Sequence, residues 1–213
     1  MTEPTCRLYL VTPPIADAEA FTAALAEACG AGDVAAVLLR LAAADERAQI
    51  KRVKALAPVA QDKGTAVIVE AGPVVAIRGG ADGVHVSGGP DALRAALEAA
   101  KPERIVGAGG LKSKHDAMLA GETEADYLMF GEPRPDGWMP PLAEVAERAR
   151  WWAEIFAVPC VAFAPTLDAV ADLAATGAEF VALGDAVWAH PEGPAAAVSQ
   201  ALAAIGKVEV PAR

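Results

Sequence analysis

The sequence predicts a closed (β/α)8 barrel, in which eight parallel strands alternate with helices around one core. Eight short apolar runs alternate with longer stretches of helical period along 213 residues, which we interpret as one domain over residues 1–213. The segments "GADGVHV", "EADYLMF" and "GAEFVAL" each place Ala and an acidic residue directly before an apolar run. Such a partial repeat favours the equivalent units of a closed barrel, with an open doubly wound sheet as the alternative.

The eight predicted strands share an apolar character on both alternating faces. This pattern is typical of parallel strands that are covered on both sides. In chain order they are Arg7–Pro13, Val34–Leu41, Ala66–Glu70, Gly83–Val86, Ile105–Ala108, Tyr127–Phe130, Cys160–Ala164 and Phe180–Leu183.

The segments between the strands have apolar residues three and four positions apart, which indicates helices. The segment "PVVAIRGG" after the third strand allows only a short helix. We expect Gly64, Gly121 and Gly177 just past helix ends, and Asp91 and Thr166 as N-caps. The longer predicted helices are Asp17–Cys29, Ala44–Lys63, Asp91–Lys101, Lys114–Gly121, Pro141–Phe156, Leu167–Gly177 and Pro194–Ile205.

Composition and charge exclude several classes of partner. A formal net charge of −10 disfavours nucleic acids and anionic membrane surfaces. No uncharged apolar run approaches the roughly 18 residues needed to cross a bilayer, and the first residues do not resemble a signal peptide. We therefore expect a cytoplasmic protein. Its three cysteines lack zinc-site spacing, and Cys29 and Cys160, which lie in apolar patterns, are predicted to be reduced, buried thiols.

The barrel prediction places the functional site at the carboxyl ends of the strands, where the active sites of such barrels lie. We name this end the mouth. Residues predicted at the mouth are Thr12, Arg40, Glu70, Ser87, Gly109, Gly110, Lys112, Glu132, Arg134, Pro165 and Asp185. Those predicted to bind substrate are Arg40, Glu70, Gly109, Gly110, Lys112, Arg134 and Asp185.

Glu132 is the predicted catalytic residue because it follows the buried run "YLMFG". A carboxylate beside Phe130 and Trp138, at a largely apolar mouth, can act as general acid and base. Arg40 and Arg134 would then bind a phosphate or carboxylate of the substrate. The alternative is that Glu132 forms a structural ion pair with Arg40 or Arg134.

Several segments carry a resemblance to a known family: "RLYLVTPP", "ADGVHVSGG", "RIVGAGG", "ADYLMFG" and the unit that begins "VPCVAFAPTLDAV". In order and spacing they resemble the thiamine-phosphate synthases and the related thiazole tautomerases. The resemblance implies a role in thiamine biosynthesis. The synthases join an aminopyrimidine diphosphate to a thiazole phosphate with Mg²⁺, whereas the tautomerases move a proton on the thiazole. The proposed proton-transfer histidine of the tautomerases matches Glu132.

The mouth departs from the synthase pattern at most of its signatures. The Gln-x-Arg-x-Lys that grips diphosphate reads Leu38, Arg40 and Ala42, so only the arginine is kept. Glu70-Ala71 stands in place of Asn-Asp, the serine after strand five is replaced by Gly109, and the Gly-Gly turn after strand seven becomes Ala164-Pro165. We predict no residue as a metal ligand, although the resemblance itself implies Mg²⁺.

The sequence therefore predicts a family protein that handles a thiazole phosphate or aminopyrimidine ligand, either with a relocated synthase site or with tautomerase-like proton transfer by Glu132. One alternative is a catalytically inactive ligand-binding or regulatory barrel. Another is an enzyme of a different reaction type, in which Glu70, Glu132 and Asp185 hold a divalent metal. His85 is interpreted as structural, and the adjacent Trp151 and Trp152 suggest a homodimer, since one of them must face away from the barrel.

Overall fold

The structure, a computed structural model, describes residues 6–134 and 137–208 and consists of a closed barrel with strand order β1 to β8. Every neighbouring pair of strands is parallel, including β1 with β8. The predicted (β/α)8 barrel is confirmed, and the open-sheet alternative is wrong.

All eight strands lie within the predicted runs and end at or before the predicted residue. They are β1 Arg7–Val11, β2 Val34–Arg40, β3 Ala66–Glu70, β4 Gly83–Val86, β5 Ile105–Ala108, β6 Tyr127–Phe130, β7 Cys160–Ala164 and β8 Phe180–Leu183.

Helices follow the strands and cover the outside of the barrel. They are α1 Ala18–Gly30, α2 Glu46–Gln61, α3 Pro73–Gly79, α4 Pro90–Ala100, α5 Lys114–Gly121, α6 Leu142–Ile155, α7 Val170–Ala174, α8 Asp185–Trp188 and α9 Pro194–Ile205. A 3-10 turn, Leu167–Ala169, precedes α7.

The observed helix bounds lie within about three residues of the predicted ones, and the glycines and caps predicted at helix ends fail in two places. Gly64 and Gly177 adopt left-handed backbone angles, with φ of 78° and 88°. Gly121 instead lies within α5, whose C-cap is Glu122. Asp91 is not an N-cap, because α4 begins one residue earlier, at Pro90. Proline is favoured at the first position of a helix, since its missing N–H would have no partner there.

The core has two layers that follow the alternation of strand side chains. One cluster fills the barrel interior and contains no helical residue: Tyr9, Val11, Ala36, Leu38, Ile68, Tyr127, Met129, Val161, Phe163 and Ala182. The other, larger cluster lies between the strands and the helices and includes Trp152, whose side chain is fully buried. Within residues 6–134 and 137–208, no helix is both long and apolar enough to cross a membrane.

Candidate functional site

A cavity of about 470 Å³ opens at the mouth, on the side formed by the ends of β3 to β6 and the start of α6. We call it the mouth cavity. It brings together five of the predicted site residues, namely Glu70, Gly110, Lys112, Glu132 and Arg134. Its other lining residues are Ser87, Leu111, Met129, Gly131, Pro133, Trp138, Pro140, Glu144 and Arg148.

Arg40 and Glu70 form an ion pair at the edge of this cavity. β2 and β3 pair in a register that sets Arg40 beside Glu70, and Arg40 Nε donates to Glu70 Oε2 over 2.8 Å. The other oxygen, Oε1, accepts from the Ser87 hydroxyl at 3.2 Å. Glu70, not Glu132, is therefore the carboxylate that holds Arg40, and the predicted Arg40–Glu132 pair is wrong.

Glu132 lies at the end of β6, where the chain turns through Gly131 with φ of 92°. Its Oε1 accepts a hydrogen bond from the backbone N–H of Gly110 at 2.5 Å. In the described part of the chain, its Oε2 is a buried oxygen with no hydrogen-bond partner. The side chain is 15% exposed, so it is a largely enclosed carboxylate with one uncommitted oxygen.

A chain of polar side chains leads from Glu132 into the barrel interior. His85 Nε2 lies 3.7 Å from Glu132 Oε1. His85 Nδ1 is 3.0 Å from the hydroxyl of Tyr127, and that hydroxyl is 2.9 Å from the hydroxyl of Tyr9. We call these four residues the interior network. Sequence reasoning interpreted His85 as structural and did not single out either tyrosine.

Both tyrosines stay protonated over the ordinary pH range. Burial raises the pKa of Tyr9 and of Tyr127 well above the usual value, and the negative charges of Glu132 and Glu70 raise both further. Each phenol is therefore a neutral group that can donate one hydrogen bond.

Two glycines on one side of β5 make room for the interior network. A Cβ at Gly107 would lie 2.0 Å from the Tyr127 ring. A Cβ at Gly109 would lie 2.0 Å from Glu132 Oε1 and 2.4 Å from His85 Nε2. Gly109, which was predicted to bind substrate, does not line the mouth cavity; its lack of a side chain allows Glu132 and His85 to approach each other.

We expect Gly109→Ala to lower the free energy of unfolding by about 1–3 kcal/mol, because the added methyl group overlaps enclosed atoms. Equilibrium unfolding in urea measures the change. Gly30→Ala is the matched control, because its Cβ would meet only ordinary contact, 3.9 Å from Lys63, and alanine is the better helix former. Equal midpoints for the two variants would contradict the overlap at Gly109.

Three cationic side chains line the cavity near Glu132. The Arg134 guanidinium lies 4.0 Å above the Trp138 ring, while Lys112 is exposed. Arg148 donates to the carbonyl oxygen of Leu111 at 2.9 Å and so holds the segment after β5. Sequence reasoning missed Arg148 because it lies on α6 and not at a strand end.

Asp185 lies away from these residues. It is the exposed first residue of α8 and does not line the mouth cavity. Among residues 6–134 and 137–208 no three His, Cys, Asp or Glu side chains lie close enough to hold a metal ion. The alternative of a metal held by Glu70, Glu132 and Asp185 is therefore wrong.

The Mg²⁺ that the resemblance implies also lacks a matching donor set. Both oxygens of Glu70 have partners, Arg40 and Ser87. Asp91, the first acidic residue after β4, is 95% exposed and lies 3.3 Å from Arg94. Hard divalent cations need several converging oxygen ligands, so these residues do not fit the ion and we derive no step through it.

Comparison with known proteins supports the family resemblance over nearly the whole chain. A thiamine-phosphate synthase from Rhodospirillum centenum is 43% identical over 196 residues, which is 91% of this chain and 95% of that protein. One from Hyphomonas neptunium is 38% identical over 205 residues, 92% of this chain and 91% of the relative.

Solved structures share the fold. A thiamine phosphate pyrophosphorylase from Pyrococcus furiosus superposes with a TM-score of 0.77 at 24% identity, covering 96% of this chain and 97% of its own. A 3-hexulose-6-phosphate synthase superposes with a TM-score of 0.72 at 20% identity, and the match covers 92% of this chain and 98% of the synthase. The sequence model of the family described as thiamine monophosphate synthase matches residues 8–187, and the chain is a member of that family.

Proposed function

We propose that this protein is an enzyme of thiamine biosynthesis that binds a thiazole phosphate in its mouth cavity and transfers a proton on it through Glu132. The observation that carries the proposal is the placement of Glu132. It is an enclosed carboxylate at the end of β6, with one oxygen bound to the Gly110 N–H and the other without a partner. A general base has to be positioned within reach of the proton that it takes, and Glu132 lines the mouth cavity.

The proposed reaction is an isomerisation with no net gain or loss of atoms. The Glu132 carboxylate takes a proton from a ring carbon, and the bonding electrons stay in the ring system. The carboxylic acid so formed returns the proton to a second ring position. The Gly110 N–H, which donates to Oε1, keeps the carboxylate oriented during both transfers.

The cations around the cavity support binding of a single phosphate. Lys112, Arg134 and Arg148 line the same cavity as Glu132, and arginine and lysine are the side chains that pair with phosphate oxygens. Arg40 contributes less to this site, because Glu70 already accepts from its Nε at 2.8 Å. The carboxylates of Glu70, Glu132 and Glu144 also line the cavity, and they repel a diphosphate more strongly than a monophosphate. The cavity therefore favours a monophosphate.

The synthase reaction is the second candidate, and a separate observation favours it. The Rhodospirillum centenum relative, matched over 95% of its length at 43% identity, is named a thiamine-phosphate synthase. If Glu70 were to hold a metal ion with a bound diphosphate, it would have to give up its hydrogen bonds from Arg40 and Ser87. We therefore rank condensation below proton transfer.

Two assays on the wild-type protein separate the candidates. In deuterated water, we expect NMR to show deuterium entering the thiazole phosphate at the ring position that exchanges. With aminopyrimidine diphosphate, thiazole phosphate and Mg²⁺ together, we expect no release of diphosphate. Formation of thiamine phosphate would overturn this ranking and establish the second candidate.

The alternative of a catalytically inactive ligand-binding barrel predicts a different set of results. A thermal shift with thiazole phosphate, together with neither exchange nor condensation, would contradict the proposed enzyme and indicate a ligand-binding protein. Binding to the native state raises its stability by mass action, so the shift reports binding without turnover.

A further inference from the structure

We infer that His85 is a positioning residue for Glu132, and that Tyr127 holds the imidazole with its proton on Nε2, facing the carboxylate. The inference deepens the proposed function and rests on Glu132 as the residue that moves the proton. It concerns how the barrel interior, away from the ligand, prepares that carboxylate.

The first argument is the burial of an uncommitted nitrogen. The His85 side chain is 1% exposed, and among the described residues its Nε2 is one of four buried side-chain atoms without a hydrogen-bond partner. Glu132 Oε2 is another of the four. Unpaired buried polar atoms are costly, and here two of them belong to side chains that face each other.

The second argument is the direction of the hydrogen bonds. If Tyr9 donates to Tyr127 and Tyr127 donates to His85 Nδ1, the imidazole proton lies on Nε2 and points at the negative Glu132. In the reverse direction, Nδ1 donates to Tyr127 and Tyr127 donates to Tyr9. The Nε2 lone pair would then face the carboxylate, which is repulsive. The electrostatics of the Glu132 carboxylate therefore select the first direction.

The third argument is the length of the remaining gap. A separation of 3.7 Å between His85 Nε2 and Glu132 Oε1 is too long for a hydrogen bond, and catalytic hydrogen bonds often shorten only when ligand is bound. A shift of about half an ångström closes the gap to hydrogen-bond range. Gly109 has no side chain that would block this movement. A Cβ at that position would lie 2.0 Å from Glu132 Oε1 and 2.4 Å from His85 Nε2.

NMR of the imidazole nitrogens tests the inference without any substrate. The chain has three histidines, so the ¹⁵N-labelled full-length protein gives few imidazole signals. The set of signals that disappears in His85→Asn belongs to His85. We expect the neutral His85 ring to hold its proton on Nε2. In Tyr127→Phe, which keeps the ring but removes the donor to Nδ1, only the Glu132 charge still favours the proton on Nε2, and we expect a measurable fraction of the Nδ1-protonated tautomer.

Tyr9→Phe is the matched control, because Tyr127 can still donate to His85 Nδ1 when the Tyr9 hydroxyl is lost. We expect His85 to keep its proton on Nε2 in this variant. A wild-type His85 with its proton on Nδ1, or an unchanged tautomer in folded Tyr127→Phe, would overturn the inference.

Kinetics then link the network to the proposed reaction. We expect Tyr127→Phe to lower kcat about tenfold while KM stays unchanged, because the variant alters the orientation of Glu132 and not the ligand contacts. A structural role alone would leave kcat at the wild-type value in the folded variant. If the wild type shows no turnover at all, the proposed function fails, whereas the tautomer measurement still decides the inference about His85.

Discussion

Glu132→Gln is expected to lower turnover of thiazole phosphate by about 10²–10⁴-fold, the usual contribution of a positioned general acid and base. The amide has nearly the same shape and can still accept from the Gly110 N–H, but it cannot take up and return a proton. We therefore expect KM and the unfolding midpoint to change little. Deuterium exchange into the ligand, followed by NMR, measures the rate.

Glu98→Gln is the control for this loss, because Glu98 is an exposed residue of α4 that does not line the mouth cavity. It removes the same charge from the chain without touching the mouth. A Glu132→Gln variant with wild-type turnover would remove Glu132 from the mechanism. If KM rises while kcat stays constant, Glu132 would be a binding residue instead.

Trp152→Ala is expected to lower the free energy of unfolding by about 3–5 kcal/mol, the range for truncating a buried aromatic residue. Trp152 is fully buried and its indole N–H donates to the Val158 carbonyl oxygen at 2.7 Å. Its ring stacks on Phe156 at 4.0 Å and meets Phe130 edge-on at 6.0 Å. Chemical denaturation monitored by circular dichroism measures the loss.

Trp151→Ala is the matched control, since the two tryptophans are adjacent on α6 but differ in burial. Trp151 is half-buried and lies 5.0 Å from the Lys114 ammonium, an arrangement that contributes about 0.5–1 kcal/mol at an exposed site. We expect a clearly smaller loss than for Trp152. Equal losses would contradict the assignment of Trp152 as the one that anchors α6 to the barrel. The homodimer inferred from this pair stays a prediction.

The fold was predictable because its signal is local. Runs such as "YLMF" and "CVAFA" are apolar on both faces, and parallel strands in a barrel require this composition. The short helix α8 was missed because four residues are too few for a helical period to emerge, and its first residue, Asp185, was therefore predicted to bind substrate. Asp91 was misassigned since Pro90 starts α4 before it.

The site was predictable only in part, because its contacts depend on register and on closure of the barrel. Strand ends identified Glu70, Glu132 and Arg134, which line one cavity. The partner of Arg40 depends on how β2 aligns with β3, which spacing along the chain does not reveal. Tyr9 on β1 and Tyr127 on β6 are not neighbours in the sheet, and they meet only across the closed interior.

One available signal for the interior network was overlooked. The chain has two tyrosines, and both lie in strands that are otherwise apolar except for Arg7 at the start of β1. A phenol at such a position needs a polar partner inside the barrel. The histidine within β4, His85, is the side chain of the strands that meets this requirement.

The missing side chain at Gly109 links two positions that are far apart in the sequence. Because a Cβ there would overlap Glu132 and His85, the residue after β5 limits which residue can follow β6. A relative with serine after β5 cannot hold a glutamate after β6 in this conformation. The two positions therefore depend on each other: a side chain at position 109 would require a different residue, or a different side-chain conformation, at position 132.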